Sequence, residues 1–222
     1  MNSIQNTCTL IISRRLIPVI RTETAEQALQ VAEVLVEAGM GTLEVTFTVP
    51  GALGCLATLA RRYGDAVLIG AGTVLDAANA RKATAAGARF VVSPALRPEV
   101  ITAAHEGGAA ALAGALTPTE AVAAWELGAD FVKIFPCDAV GGPAYIKALR
   151  GPFPDIPLVP TGGVTEATAE AFLKAGAAAL GVGGGRLPNA EVRAGAWDKI
   201  RTRAQRLIEV VEAATPAPSV AR

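Results

Sequence analysis

Histidine is almost absent from this 222-residue chain, which carries only His105. A metal site built on several histidines is therefore unavailable, and no Asp/Glu cluster along the sequence replaces it. No metal or other cofactor is expected. His105 itself falls in a helix-like segment and is expected to be exposed. Cysteine is scarce as well. Cys8, Cys55 and Cys137 are widely spaced and odd in number, which gives neither a disulfide framework nor a zinc pattern; a reducing cytoplasm is the expected setting. No apolar run approaches the ~18 residues needed to span a bilayer. The brief apolar patch at 10–12 precedes Arg14 and Arg15, the wrong order for a secretory leader. Net charge is zero, from 20 basic and 20 acidic residues. Without a basic run, nothing supports a nucleic-acid partner or a membrane surface as partner. No long Ser/Pro/Gly linker interrupts the chain, so residues 1–222 read as one domain.

What the chain does have is apolar residues, 51% of the total against 18% charged. They recur in a repeating unit: an amphipathic helical stretch, a glycine, then a short apolar strand. Gly39, Gly64, Gly87, Gly107, Gly128, Gly151 and Gly176 each suit a left-handed helix C-cap. The expected strands are 16–20, 42–45, 67–70, 90–92, 110–113, 131–134, 158–160 and 180–182. Thr117, Pro118 and Glu120 form a capping box with a first-turn proline, and Thr24 with Gln27 forms a similar one. Eight strands alternating with helices imply parallel pairing and right-handed crossovers, and eight such units close into a (β/α)8 TIM barrel. An open doubly wound sheet is the alternative, but Ile20-Arg21-Thr22-Glu23 lacks the glycine-rich turn that such a fold carries after its first strand. Residues 1–15 are expected to add a helix below the barrel, and about 214–222 a frayed tail.

The chain's most telling residue is Lys133. Of its five lysines, Lys82, Lys147, Lys174 and Lys199 lie in helix-like polar patterns. Lys133 alone interrupts an apolar strand. A strand covered on both faces gives a lysine little route to water, and desolvation favours the neutral amine, a nucleophile toward carbonyls. The alternative is a lysine that snorkels from the strand end to solvent. Strand alternation points Phe131, Lys133 and Phe135 into the barrel, with Val132 and Ile134 outward. The same rule on the second strand points Thr42, Glu44 and Thr46 inward. Glu44 and Lys133 thus enter one interior, either as catalytic groups or as a buried structural ion pair.

Active sites of such barrels lie at the C-terminal strand ends. There the third strand runs into Gly70-Ala71-Gly72-Thr73, where small residues admit a ligand and Thr73 can bond it. The seventh ends at Thr161-Gly162-Gly163 and the eighth at Gly183-Gly184-Gly185. Glycine-rich loops after strands seven and eight suit a phosphate, which backbone N–H groups would hold. Arg21, closing the first strand, suits a carboxylate.

These residues carry a family resemblance. Leu43-Glu44-Val45-Thr46-Phe47-Thr48, Ile69-Gly70-Ala71-Gly72-Thr73-Val74, Val92-Ser93-Pro94, Val132-Lys133-Ile134-Phe135-Pro136, Gly151-Pro152-Phe153-Pro154 and Pro160-Thr161-Gly162-Gly163-Val164 occur in order over residues 15–190. Together they resemble the 2-keto-3-deoxy-6-phosphogluconate (KDPG) aldolases, which include 4-hydroxy-2-oxoglutarate (KHG) and 6-phosphogalactonate variants. The resemblance implies a class I aldolase in a trimer of barrels, acting on a 2-keto-3-deoxy acid and releasing pyruvate. Lys133 matches the Schiff-base lysine and Glu44 the general acid/base. Thr73 matches a ligand of the pyruvate carboxylate, and Pro94 and Phe135 match pocket walls. Thr161, Gly162, Gly163 and Gly183 match the phosphate cradle. Two positions depart from the best-known members. Thr48 stands where some carry an arginine, and Arg21 fills the place used by members that lack it. Gly184 stands where many carry a serine, which removes one donor to phosphate. A phosphosugar isomerase or epimerase on the same barrel, working without an imine, is the rival enzyme reading, and a non-catalytic binding subunit is the other.

Overall fold

The computed structural model describes residues 3–183 and 189–214. In chain order the elements are α1 (Ser3–Arg14), β1 (Leu16–Ile20), α2 (Ala25–Glu37), β2 (Thr42–Thr46), α3 (Ala52–Tyr63), β3 (Leu68–Gly72), α4 (Ala77–Ala85) and β4 (Phe90–Val92). They continue through α5 (Pro98–Glu106), β5 (Ala110–Ala115), α6 (Pro118–Glu126), β6 (Phe131–Ile134), a 3-10 turn (Asp138–Val140), α7 (Pro143–Arg150) and β7 (Leu158–Pro160). The chain finishes with α8 (Ala169–Lys174), β8 (Leu180–Gly183), α9 (Asn189–Arg193) and α10 (Trp197–Ala213). The strands form one parallel sheet in the order β7-β6-β5-β4-β3-β2-β1-β8. A parallel bridge between Thr161 and Gly181 joins its two edges and closes the (β/α)8 barrel.

Strand alternation decides where each side chain goes. Leu43, Val45, Val132 and Ile134 pack outward in one large core with the helices. Ile17, Leu68, Phe90, Leu112, Phe131 and Val159 fill the interior as a second core. Ile11 of α1 joins that inner core. Ser3 Oγ donates to Gly108 O, and the Arg14 guanidinium donates to Gly41 O and Ala66 O. Those carbonyls lie just before β5, β2 and β3, so α1 caps the N-terminal end of the barrel. Apolar packing thereby fills the lower half and leaves the C-terminal end for chemistry.

Local signals explain most boundaries. Thr24 Oγ1 caps α2 by accepting from Gln27 N at 3.2 Å, while the Gln27 side chain reaches back to Glu23 N at 3.1 Å. At α6 the Thr117–Glu120 capping box is complete. Two of the expected glycine caps are corrected. Gly107 has φ −85°, and the left-handed turn falls one residue later, at Gly108 (φ 73°). Gly151 has φ −57° and continues the helical turn, with Phe153 N still donating to Leu149 O. His105 is half-buried rather than exposed, because its Nε2 lies 2.8 Å from Asp130 Oδ2. At the C-terminus, Ala214 is buried and its carbonyl accepts from Arg15. The expected frayed tail therefore does not include it, and 215–222 lie outside the described residues. Among the described residues no helix is long and apolar enough to cross a membrane.

Candidate active site

Lys133 sits mid-strand in β6 and is 6% exposed. It has not snorkelled to solvent. The ladder pairs it with Gly114 of β5 and Val159 of β7, and paired residues of parallel strands share a face. Its side-chain nitrogen lies 5.2 Å from the centre of the Phe135 ring, a cation–π contact. Pro94 is half-buried, and its loop crosses directly over Gly114, where a Cβ would meet Pro94 C at 2.2 Å. Pro94 and Phe135 thus both border the space above the lysine.

Glu44 is 3% exposed and its Oε1 has no hydrogen-bond partner among the described residues. Burial pushes its carboxyl above the ordinary range, and the positive charges of Lys133 and Arg21 pull against that rise. A buried carboxyl with an unused oxygen is costly for stability. It is also poised to accept and return a proton. Lys133 and Glu44 therefore face each other electrostatically within one interior, as strand alternation predicts.

The ends of β1 and β3 meet above this layer. Arg21 is exposed, and its Nη2 donates to Thr73 Oγ1 at 3.5 Å. Thr73 holds a left-handed backbone (φ 58°), a conformation that is rare for a β-branched residue and concentrates at functional sites. Thr46 Oγ1 donates to Ile20 O at 3.0 Å and lies 2.8 Å from Thr48 Oγ1, which ties the end of β2 to the residue before Arg21.

Across the mouth, Thr161 is buried; its N–H donates to Ile134 O at the end of β6, and its carbonyl accepts from Cys137 N just beyond. Gly162 (φ 101°) and Gly163 (φ 73°) follow in left-handed conformations. Among the described residues neither N–H donates to a protein acceptor. Gly183 pairs with Val19, so its strand end borders β1. Gly184 lies outside the described residues.

Two sets of groups thus flank a buried lysine and carboxyl: a cation with a hydroxyl on one side, free backbone donors on the other. Comparison with known proteins gives the family. The sequence profile described as KDPG and KHG aldolase matches residues 6–203. The chain belongs to this aldolase family. A 2-dehydro-3-deoxy-phosphogluconate aldolase of Pseudoalteromonas atlantica is 34% identical over 192 residues, which is 86% of this chain and 89% of its own length. A 2-dehydro-3-deoxy-6-phosphogalactonate aldolase of Escherichia coli is 37% identical over 169 residues, 76% of this chain and 82% of its own. The crystal structure of KDPG aldolase from Legionella pneumophila holds pyruvate captured at low pH as a covalent carbinolamine intermediate. It matches with a TM-score of 0.82 at 31% identity, covering 90% of this chain and 97% of that one.

Gly72 reads as a small residue admitting a ligand, whereas two neighbours of these groups, Gly114 and Asp138, escape the sequence reading. Gly72 belongs to β3 rather than to a turn, and a Cβ there would lie 1.9 Å from Glu44 Oε1. Gly114 admits the Pro94 loop. Asp138 stands beside Gly162 and Gly163. A glycine inside a strand marks a close approach, but the sequence reading ends the third strand at Gly70 and the fifth at Ala113, so that signal is missed at Gly72 and Gly114. Asp138, one polar residue in a loop, carried none. Burial, with Asp138 adding, pushes the neighbouring Cys137 thiol up to about 12, which keeps it protonated and inert at neutral pH. Among the described residues no group of three or more His, Cys, Asp or Glu is placed to hold a metal.

Proposed function

We propose that this aldolase cleaves 2-dehydro-3-deoxy-6-phosphogluconate to pyruvate and glyceraldehyde 3-phosphate through an imine on Lys133. 4-Hydroxy-2-oxoglutarate, giving pyruvate and glyoxylate, is the second substrate. The observation that carries this reading is a lysine only 6% exposed, on the inner face of the barrel opposite a strand bearing a buried carboxyl. The carbinolamine of the Legionella enzyme supports the same chemistry.

The amine form of Lys133 adds to the C2 ketone, and loss of water leaves an iminium. Glu44 accepts the C4 hydroxyl proton, directly or through one water. The C3–C4 electron pair then moves into the iminium, releasing the aldehyde and leaving a pyruvate enamine. Glu44 returns its proton to C3, and water frees pyruvate and the lysine. A carboxyl whose proton affinity is raised by burial suits both halves of this exchange. Arg21 and Thr73 hold the C1 carboxylate. Backbone N–H groups of Gly162 and Gly163, with Gly183 beside them, hold the distal phosphate. Chain length and family point to one cytoplasmic barrel domain that assembles as a homotrimer.

The test is a panel of acids assayed for pyruvate release. The phosphogluconate-derived acid is expected to turn over fastest, with the galactonate epimer and 4-hydroxy-2-oxoglutarate following. Pyruvate release from none of the three would contradict the proposal.

A further inference from the structure

Asp138 is an exposed carboxylate in the 3-10 turn after β6. It lies hard against the glycine pair that follows β7. A Cβ on Gly162 would sit 2.6 Å from Asp138 Oδ1, and one on Gly163 would sit 2.7 Å from Asp138 Cβ. The bond from Cys137 N to Thr161 O, at 2.9 Å, fixes the turn to this loop. The left-handed glycines therefore do two things. They present two N–H groups that no protein acceptor uses among the described residues, and they make room for a negative charge beside those donors.

We infer that Asp138 is a specificity determinant that weakens the hold on a terminal dianion and so narrows the enzyme's preference for phosphorylated over uncharged aldehydes. The inference rests on the proposed placement of the distal phosphate at Gly162 and Gly163. An anion bound there shares its surroundings with the carboxylate, and like charges within one cavity mouth repel. Because Asp138 is exposed, solvent and salt screen that repulsion, and an effect of about threefold to tenfold is expected rather than an absolute block. A hydroxyl-terminated aldehyde carries no such penalty and can donate a hydrogen bond to the carboxylate.

The experiment uses the full-length enzyme and the condensation of pyruvate with glyceraldehyde 3-phosphate or with glyceraldehyde. In Asp138→Asn the ratio of kcat/KM for the phosphorylated over the unphosphorylated aldehyde should rise about threefold to tenfold. Inorganic phosphate should inhibit the variant at correspondingly lower concentration. Asp138→Ser serves as a second neutral variant should the first fold poorly. A ratio that is unchanged or falls in both variants, with phosphate inhibition unaltered, would overturn the inference. Borohydride trapping of pyruvate on the unmodified enzyme separates the two levels. An adduct on Lys133 with an unchanged ratio overturns the Asp138 inference and leaves the imine standing, whereas absence of the adduct overturns the imine reading itself.

Discussion

Gly72 exists where it does because of Glu44. A Cβ at Gly72 would lie 1.9 Å from Glu44 Oε1 and 2.5 Å from its Cδ, well inside van der Waals contact. The ladder sets Gly72 opposite Thr46 and Gly70 opposite Glu44, so the carboxyl leans over the backbone of β3. Gly72→Ala should push the carboxyl out of place without touching Lys133. Misplacement by about an ångström can cost on the order of 10²-fold in rate. Turnover should fall by that order while pyruvate still forms an imine and circular dichroism still reports a folded barrel. Normal turnover in this variant would mean that the carboxyl position is immaterial.

Glu44→Gln keeps the volume and removes the base. Positioned acid–base groups contribute about 10² to 10⁴ in rate, and turnover should drop within that range while the imine with pyruvate survives at least in part. Unimpaired cleavage would make Glu44 structural.

The same substitution has a stability signature. Burial raises the Glu44 carboxyl above its ordinary value of 4.5, so the folded state favours the protonated form. Its contribution to stability is fully present below 4.5 and is lost as pH rises through the folded value. At neutral pH, well above the ordinary carboxyl value, the buried carboxyl burdens the fold, and Glu44→Gln should melt at a higher temperature than the parent protein. That advantage should shrink as pH falls to 4.5 and below. A variant less stable than the parent at neutral pH would contradict the burial cost.

Arg21 donates to Thr73, and the proposed function assigns both to the substrate carboxylate. Arg21→Ala should raise the KM for pyruvate in condensation with every aldehyde. The loss of one hydrogen bond to a charged group is worth roughly 1.5–3 kcal/mol. Impairment confined to phosphorylated aldehydes would show that the substrate lies in the barrel the other way round.

Much of this architecture was legible because buried parallel strands read as apolar runs, and helix ends announce themselves with glycines and caps. Lys133 and Glu44 stood out for the same reason, as charges inside such runs. What eluded the sequence was set by contacts across strands. The third strand reads as ending at Gly70, since two further small residues look like a turn, yet pairing with Val45 and Thr46 carries it to Gly72. The left-handed turn falls at Gly108, and Gly107 instead makes room for Thr84, whose Oγ1 would lie 2.3 Å from a Cβ there. The half-burial of His105 depends on Asp130, 25 residues away. The meeting of Arg21 with Thr73 spans 52 residues and follows only from closing β1 beside β2 and β3.

The imine on Lys133 is tested most directly by reduction in the presence of pyruvate. The enzyme incubated with pyruvate and borohydride should lose activity irreversibly and gain one reduced pyruvate unit, located by peptide mass spectrometry on Lys133. The four exposed lysines, Lys82, Lys147, Lys174 and Lys199, should remain unlabelled. Labelling on one of those residues, or full cleavage activity in Lys133→Ala, would contradict a Schiff-base mechanism at the centre of the barrel.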